Sequence, residues 1–207
     1  MKYEWRKQEK NLYLTKAKPV LLTIPEQKFI SLAGTGNPNE SEFKERVQTL
    51  YPAAYGLKAA YKKYCQTNNM EFDDYVVFPL EGVWSLTEKG QQLDYLDKNE
   101  FSYDIMIRVP DFVPEELIEP TLSSVQEKKN LPLISEMEIK TFPEMDVAQI
   151  LHVGSYDDEP DSFAKIDDEV SKNGKKRISK IHREIYLSDA RRVEASRLKT
   201  VLRYRVG

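Results

Sequence analysis

The sequence predicts an α+β fold made of two repeated strand-helix-strand-strand units, with antiparallel sheets around a central ligand cleft. Two observations support this. The run TIPE at 23–26 is answered by TFPE at 141–144, a shift of 118, and at the same shift Gly36 is answered by Gly154. A helix-like stretch and two strand-like stretches follow each glycine. Such units cover one side of a sheet with helices, and a cleft between repeats is a preferred place for a small-molecule ligand.

Each element of the first repeat has its own signal. Residues 20–36 read as two strand segments around Pro25 that end in a Gly-rich turn. Residues 39–64 carry apolar residues at helical spacing, and Pro52 among them predicts a kink or a break into two helices. Residues 73–84 and 101–112 predict two further strands, joined by a polar loop.

The second repeat predicts the same order with shorter connections. A helix containing Phe163 ends at Gly174, and strands at 178–187 and 198–206 follow. The aromatic residues near the N-terminus predict an arm attached to the body, with a solvated tail as the alternative. The sequence therefore divides into an arm, a first unit, a connector and a second unit, at 1–19, 20–112, 113–137 and 138–207.

Composition excludes or disfavours several classes of protein. The chain has 207 residues and a net charge of −3, so it lacks the basic field that nucleic-acid binding requires. Cys65 is the one cysteine, which excludes an intrachain disulfide and favours a reducing compartment. No apolar run approaches the ~20 residues of a membrane span, and the first residues do not read as a signal peptide. We expect a cytoplasmic protein that contacts neither nucleic acid nor membrane.

The predicted strand at 178–187 contains the main candidate residues for a functional site. A period of two places the apolar residues on one face together with an arginine: Ile181, Arg183, Ile185 and Leu187. The other face carries His182, Glu184 and Tyr186, a carboxylate between an imidazole and a phenol. Glu184 is the main candidate if this face lines a pocket. The alternative is a solvated sheet face, which antiparallel sheets commonly have.

Other kinds of site have little support. His152 and His182 lie 30 residues apart, and no cluster of Cys, His and carboxylate residues has ligand spacing, so we expect no metal and no cofactor. Motifs for a serine nucleophile or a phosphate loop are absent. The acidic run 157–169 predicts a solvated helix entry, and the basic run 172–180 predicts a solvated loop.

Aromatic residues make up 11% of the chain, with 12 tyrosines. Taken singly, each is more typical of a core than of a ligand site. Together they exceed the needs of two small cores. We predict that a ligand wall includes His182 and seven aromatic residues: Tyr51, Tyr55, Tyr75, Trp84, Tyr103, Phe163 and Tyr186.

Five segments together resemble stand-alone GyrI-like small-molecule-binding proteins: KYEWRKQEK at 2–10, FPLEGVW at 78–84, IMIRVPDF at 105–112, REIYLSD at 183–189 and KTVLRYRV at 199–206. The resemblance covers essentially the whole chain and implies two strand-helix-strand-strand units around a cleft. By motif position, it implies that Glu184 is the pocket carboxylate, that Trp84 and Tyr103 are walls, and that Tyr55 is a helix tyrosine of the pocket. The family often has proline where Ala190 and Arg205 stand. Both positions lie at the ends of elements, so this difference concerns the geometry of those ends and not the pocket.

The resemblance also implies a function. Some stand-alone members are similar to hydrolases that open the cyclopropane ring of DNA-alkylating natural products and so protect the cell. Our leading expectation is such a hydrolase, with Glu184 as general base and Tyr55 orienting the water or the carboxylate. The alternative is a protein that binds, senses or sequesters a drug without chemistry, with Glu184 as counter-charge. No helix-turn-helix fits within residues 1–19, so we do not expect a transcription regulator, and no feature supports gyrase inhibition.

Overall fold

The structure is a computed structural model that describes residues 2–13 and 16–207. Its helices are α1 (Trp5–Gln8), α2 (Lys10–Tyr13), α3 (Ser41–Thr67), α4 (Glu88–Gln92), α5 (Ile118–Lys129) and α6 (Glu159–Lys172). Its strands are β1 (Val20–Ile24), β2 (Gln27–Thr35), β3 (Leu80–Leu86), β4 (Phe101–Val109), β5 (Glu138–Phe142), β6 (Met145–Val153), β7 (His182–Tyr186) and β8 (Lys199–Arg205). The predicted α+β class with antiparallel strand pairing is confirmed.

The internal repeat is confirmed at the level of element bounds. A shift of 118 converts the bounds of β1 and β2 into those of β5 and β6, and it converts Ser41, the first residue of α3, into Glu159, the first residue of α6. Gly36 and Gly154 follow the equivalent strands with φ of 100° and 147°. Glycine adopts such positive angles without strain, which explains why both turns use it.

The chain packs as two compact units, each discontinuous in sequence. Unit 1 contains the described residues of Met1–Trp5, Gln27–Phe78 and Leu86–Phe142, and unit 2 contains those of Arg6–Glu26, Pro79–Ser85 and Pro143–Gly207. Each unit includes the first strand of the other repeat. In unit 1, β5 pairs with β2, and in unit 2, β1 pairs with β6. The sequence repeat and the compact units are therefore different divisions of the same chain.

Unit 1 has an antiparallel sheet in the order β4-β2-β5, against which α3 packs. Pro52 lies inside α3, and the predicted break into two helices is wrong, because one helix runs from Ser41 to Thr67. Leu50 before the proline and Leu57 after it are both buried. This packing on both sides of Pro52 offsets the hydrogen bond that a proline removes.

The strand predicted at 73–84 begins later than expected, since β3 starts at Leu80. The preceding residues belong to no strand and make one isolated bridge, from Tyr75 to Tyr3 of the N-terminal arm. Without a neighbouring strand of its own, this segment does not satisfy the ladder that defines a sheet. The connector between the two repeats contains a helix of twelve residues, α5.

The described part of the arm is attached rather than solvated. In unit 1, the buried Trp5 donates its indole N–H to the Val77 carbonyl over 3.2 Å. In unit 2, Tyr13 is fully buried, and Arg203 donates to the Leu12 carbonyl over 2.6 Å. One hydrogen bond from the Trp5 side chain and one to the Leu12 carbonyl therefore attach the arm to the rest of the chain.

Unit 2 has an antiparallel sheet in the order β1-β6-β8-β7-β3, with α6 packed against it. Its hydrophobic core joins apolar residues of β6, α6 and the C-terminal strand: Ala148, Ile150, Ile166, Val170, Leu202, Tyr204 and Val206. Strand β7 lies between β8 and β3, so its backbone is paired on both sides. Among the described residues, no helix has both the length and the apolar character needed to cross a bilayer.

Candidate functional site

Strand β7 places its polar side chains on one face, as the period of two predicts. His182, Glu184 and Tyr186 are joined by hydrogen bonds, and Glu184 is only 8% exposed. The alternative of a solvated carboxylate is therefore wrong. Glu184 lies opposite Gly82 of β3, and His182 lies opposite Trp84, so these two β3 residues share the same face of the sheet.

Two donors hold the Glu184 carboxylate. The Tyr186 hydroxyl donates to Oε2 over 2.8 Å, and His182 Nε2 lies 2.9 Å from Oε1. Burial and the Glu184 charge raise the pKa of Tyr186 well above its ordinary value, so its hydroxyl stays protonated as a donor. A carboxylate has about four lone-pair sites, which leaves acceptor capacity for a ligand or a water.

Gly82 makes room for a hydrogen bond between Trp84 and Tyr186. The Trp84 indole N–H donates to the Tyr186 hydroxyl over 2.8 Å. A Cβ atom at Gly82 would lie 2.6 Å from Trp84 Nε1 and 3.1 Å from the Tyr186 hydroxyl. Glycine at position 82 is therefore required by close approach, and the hydrogen bonds run in one direction from Trp84 through Tyr186 to Glu184.

The opposite face of β7 is buried. Ile185 is fully buried, and the Arg183 guanidinium lies 3.4 Å from the buried Glu81 carboxylate. Ile181 departs from the predicted face: it precedes the strand and is 48% exposed. The predicted strand was too long at this end, because the backbone before His182 is not paired in the sheet.

A second carboxyl group, which the sequence analysis missed, lies beside the first. Glu159 begins α6 and is only 7% exposed, and its Oε1 atom is buried without a hydrogen-bond partner. One carboxyl oxygen of Glu159, one of Glu184 and one ring nitrogen of His182 all lie within 4.8 Å of one another. The prediction of a solvated helix entry at 157–169 is thus wrong for Glu159. The acidic residues around it in the sequence look alike, and only folding buries this one.

Burial and nearby negative charge keep Glu159 neutral. Desolvation, the Glu184 carboxylate and Asp157 raise the pKa of Glu159 to about 9. The N-terminus of α6 opposes this, but a helix dipole is worth at most ~2 kcal/mol, or about 1.5 pH units. The dipole is therefore too weak to reverse the direction of this shift. At this spacing, the repulsion between two carboxylates can be removed by a proton on one of them or by a bound cation.

Aromatic rings surround the carboxyl groups. The Phe163 ring, one turn along α6 from Glu159, meets the His182 ring edge-on at 4.9 Å between centroids. The Tyr156 ring meets the Tyr186 ring edge-on at 6.1 Å, and burial followed by the charge of Glu184 raises the pKa of Tyr156 to about 12. Tyr156 is a further residue of this site that the sequence analysis did not single out.

A cation lies near the rings of Phe163 and Tyr204. The Arg177 guanidinium lies 5.3 Å from the Phe163 ring and 4.3 Å from the Tyr204 ring. It also donates to the Ser179 and Lys180 carbonyls. The basic run 172–180 is otherwise mostly exposed, in agreement with the predicted solvated loop.

The other histidine has a structural role. His152 is buried, with Nδ1 2.9 Å from the Ser162 hydroxyl and Nε2 2.8 Å from the Ser155 carbonyl. Both ring nitrogens are therefore occupied, Nδ1 by a residue of α6 and Nε2 by the segment between β6 and α6. Ser162 lies on the same helix as Glu159, so this contact helps to fix where the helix begins.

The remaining predicted site residues belong to unit 1. Tyr51 and Tyr55 line an apolar groove of about 480 Å³ with Pro52, Gly56, Val125 and Lys129, and Tyr55 is 59% exposed. Its predicted partnership with Glu184 stays a prediction.

Tyr75 and Tyr103 are both buried in unit 1. The Tyr75 ring packs edge-on against Phe112 at 5.7 Å between centroids. The Tyr103 ring packs against Phe43 at 5.1 Å and covers Gly34 on the neighbouring strand. Their role as ligand walls also stays a prediction.

Comparison with known proteins agrees with this architecture. A model of the GyrI-like small molecule binding domain matches residues 17–206. An uncharacterized conserved protein from Listeria innocua has a solved structure that is 30% identical, with a TM-score of 0.87 and each chain covered in full. A hydrolase encoded by lin2189 from the same organism is 30% identical with a TM-score of 0.84, and a hydrolase from Listeria innocua is 29% identical with a TM-score of 0.83, again over 100% of both chains.

No curated protein matches the chain. The family match nevertheless extends over nearly all of it, including both repeats and every residue around Glu184. A small molecule is therefore the kind of ligand that this domain takes. This chain belongs to the family of the GyrI-like small molecule binding domain.

Proposed function

We propose that the protein binds a planar, hydrophobic small molecule against the Glu184 face of unit 2 and adds water to a cyclopropane ring of that ligand. Such a reaction would destroy DNA-alkylating natural products and protect the cell. The observation that carries the proposal is the Glu184 carboxylate, which is 8% exposed, held by two donors and surrounded by aromatic rings. The hydrolases of Listeria innocua at 29% and 30% identity support an enzymatic role.

Glu184 acts as the general base in this proposal. Its carboxylate accepts a proton from water while the water oxygen attacks a ring carbon, and the strained carbon–carbon bond breaks. Tyr186 and His182 orient the carboxylate, and ring strain supplies much of the driving force. Tyr55 is retained as a second candidate for orienting the water or the carboxylate.

Incubation with a cyclopropane-bearing alkylator tests the proposal directly. Mass spectrometry should show a product heavier than the substrate by one water, formed faster than in buffer and in proportion to protein concentration. A substrate that binds but is recovered unchanged would contradict the enzymatic proposal.

The second candidate function is binding without chemistry. It is favoured by the same buried carboxylate among aromatic rings, an arrangement that suits an organic cation. In that case calorimetry should show binding of a planar cation, and neither this ligand nor a cyclopropane-bearing one should gain a water.

A further inference from the structure

We propose that Glu159 and Glu184 hold a single proton between them, that Glu159 carries it, and that Glu159 is the proton donor of the reaction in which Glu184 is the base. The inference deepens the proposed function and rests on it for the catalytic step. The sharing of the proton rests on the structure alone.

Geometry is the first support. One oxygen of each carboxyl group and one ring nitrogen of His182 lie within 4.8 Å of one another, and Glu159 and Glu184 are only 7% and 8% exposed. The Glu184 oxygens each have a partner, whereas Glu159 Oε1 is buried and has none. A neutral acid at position 159 removes the repulsion that two buried carboxylates would suffer at this distance.

The groups that surround Glu159 also favour its protonated form. Strand β7 presents Glu184, His182 and Tyr186 to Glu159, and the turn before α6 adds Asp157 and Tyr156. Both tyrosines titrate above their ordinary range, so they contribute no charge near neutral pH.

Asp189 is a further carboxylate near these residues, and its charge contributes to the raised pKa of Tyr156. It is paired with Arg191 and Arg192, which lowers its pKa to about 2. Negative charge around Glu159 therefore comes from Glu184 and Asp157, and it favours the protonated form of Glu159.

A donor beside an acceptor suits the addition of water to a neutral electrophile. Water forms a carbon–oxygen bond as the strained carbon–carbon bond breaks, and its proton goes to Glu184. The electron pair released from the broken bond takes the proton of Glu159. Transfer of the new proton from Glu184 to Glu159 then restores the resting state, so no proton is gained or lost overall.

Carbon-13 NMR of the glutamate carboxyl groups tests the sharing of the proton. The Glu159 signal, assigned as the one lost in Glu159→Gln or shifted in Glu159→Asp, should belong to the protonated acid at pH 7 and titrate near pH 9. Glu184→Gln should lower this midpoint yet leave it above the ordinary range, because burial is the larger cause of the shift. A Glu159 that is ionised at pH 7 would overturn the proposal, as would a titration seen only after a chelator removes a bound metal ion.

Kinetics tests the donor role separately. Wild-type turnover should decline as pH rises through about 9, and Glu159→Gln, whose amide cannot transfer a proton, should lose about 10²–10⁴-fold in kcat together with that alkaline limb. An unchanged kcat and alkaline limb would overturn the donor role. Absence of turnover in the wild type would refute the proposed hydrolysis instead. The NMR titration would still decide which of the two carboxyl groups, Glu159 or Glu184, is protonated.

Discussion

The Tyr186 hydroxyl donates a hydrogen bond to Glu184 Oε2 over 2.8 Å and accepts one from Trp84 Nε1 over the same distance. The three residues come from two neighbouring strands, and their donors point one after another toward the carboxylate. Hydrogen bonds to a carboxylate favour its charged form and fix its orientation. Each link in this series can be removed by one substitution.

Glu184→Gln separates an enzyme from a binding protein. The amide keeps the shape of the side chain but cannot accept a proton, so turnover should fall about 10²–10⁴-fold while ligand affinity changes little. If Glu184 is only a counter-charge for a cation, the same change should weaken binding by ~2–5 kcal/mol. Parallel measurement of kcat and of Kd by calorimetry distinguishes the two.

The exposed Glu194 of the same unit offers a matched control. Glu194→Gln makes the same chemical change away from the site, and both constants should stay at the wild-type value. Unchanged turnover in Glu184→Gln would rule out the general-base mechanism, even in a protein that hydrolyses its ligand.

Tyr186→Phe tests the donor to the carboxylate. A hydrogen bond to a charged group is worth about 1.5–3 kcal/mol, and its loss should move the acid limb of kcat/KM upward by about 1–2 pH units. The pH profile of kcat/KM measures this shift. Tyr55→Phe is the comparison: an effect of similar size would support the predicted assistance by Tyr55, and a wild-type profile would assign the orienting role to Tyr186 alone.

Gly82→Ala should disrupt the site by crowding. The new methyl group would lie 2.6 Å from Trp84 Nε1, so the indole must move and lose its bond to Tyr186. Overpacking of this kind costs about 1–3 kcal/mol of unfolding free energy, measurable by urea denaturation. Addition of Trp84→Phe removes the crowded atom, so the double variant should be less destabilised than the sum of the single changes. Strict additivity would argue against the contact.

Glu159→Gln should change how stability depends on pH. The pKa of Glu159 is about 9 in the folded protein and 4.5 ordinarily, so between these values the folded state holds a proton that the unfolded state lacks. The contribution of Glu159 to the unfolding free energy of the wild type therefore falls as pH rises, by on the order of 1 kcal/mol per pH unit. Glutamine does not titrate.

The stability of Glu159→Gln relative to the wild type should accordingly increase from pH 5 to pH 9 and level off above it. Urea unfolding at pH 5, 7 and 9 measures the trend. Glu194→Gln, an exposed carboxyl change, should show no such trend. Parallel stability curves for Glu159→Gln and the wild type would contradict the assigned protonation.

Local pattern was sufficient for most of the fold. The equivalence of Pro25 with Pro143 and of Gly36 with Gly154 predicted two repeats whose strand bounds agree at the shift of 118. Period-two alternation placed His182, Glu184 and Tyr186 on one face, because side chains of a strand alternate whatever lies around it. These are properties of neighbouring residues, which sequence records directly.

Where local pattern failed, packing was the reason. Pro52 does not break α3, because buried side chains on both sides hold one helix against the sheet of unit 1. Residues 73–79 read as strand but have no ladder partner beyond one bridge to the arm. Helix and strand ends depend on contacts that are distant in sequence.

The chemistry of the site was decided by tertiary structure in the same way. By sequence alone, the position of Glu184 in its strand marked it as a candidate carboxylate, and family motifs strengthened this. Its neighbour Glu159 lies 25 positions earlier in an acidic run, and nothing local separates it from Asp157 or Asp161. Folding of α6 against β7 buries Glu159 beside Glu184, and burial with a nearby like charge is what keeps a carboxyl group protonated. Alternation along a strand can be read from the chain, whereas desolvation and the distance between two charges exist only once the chain has folded.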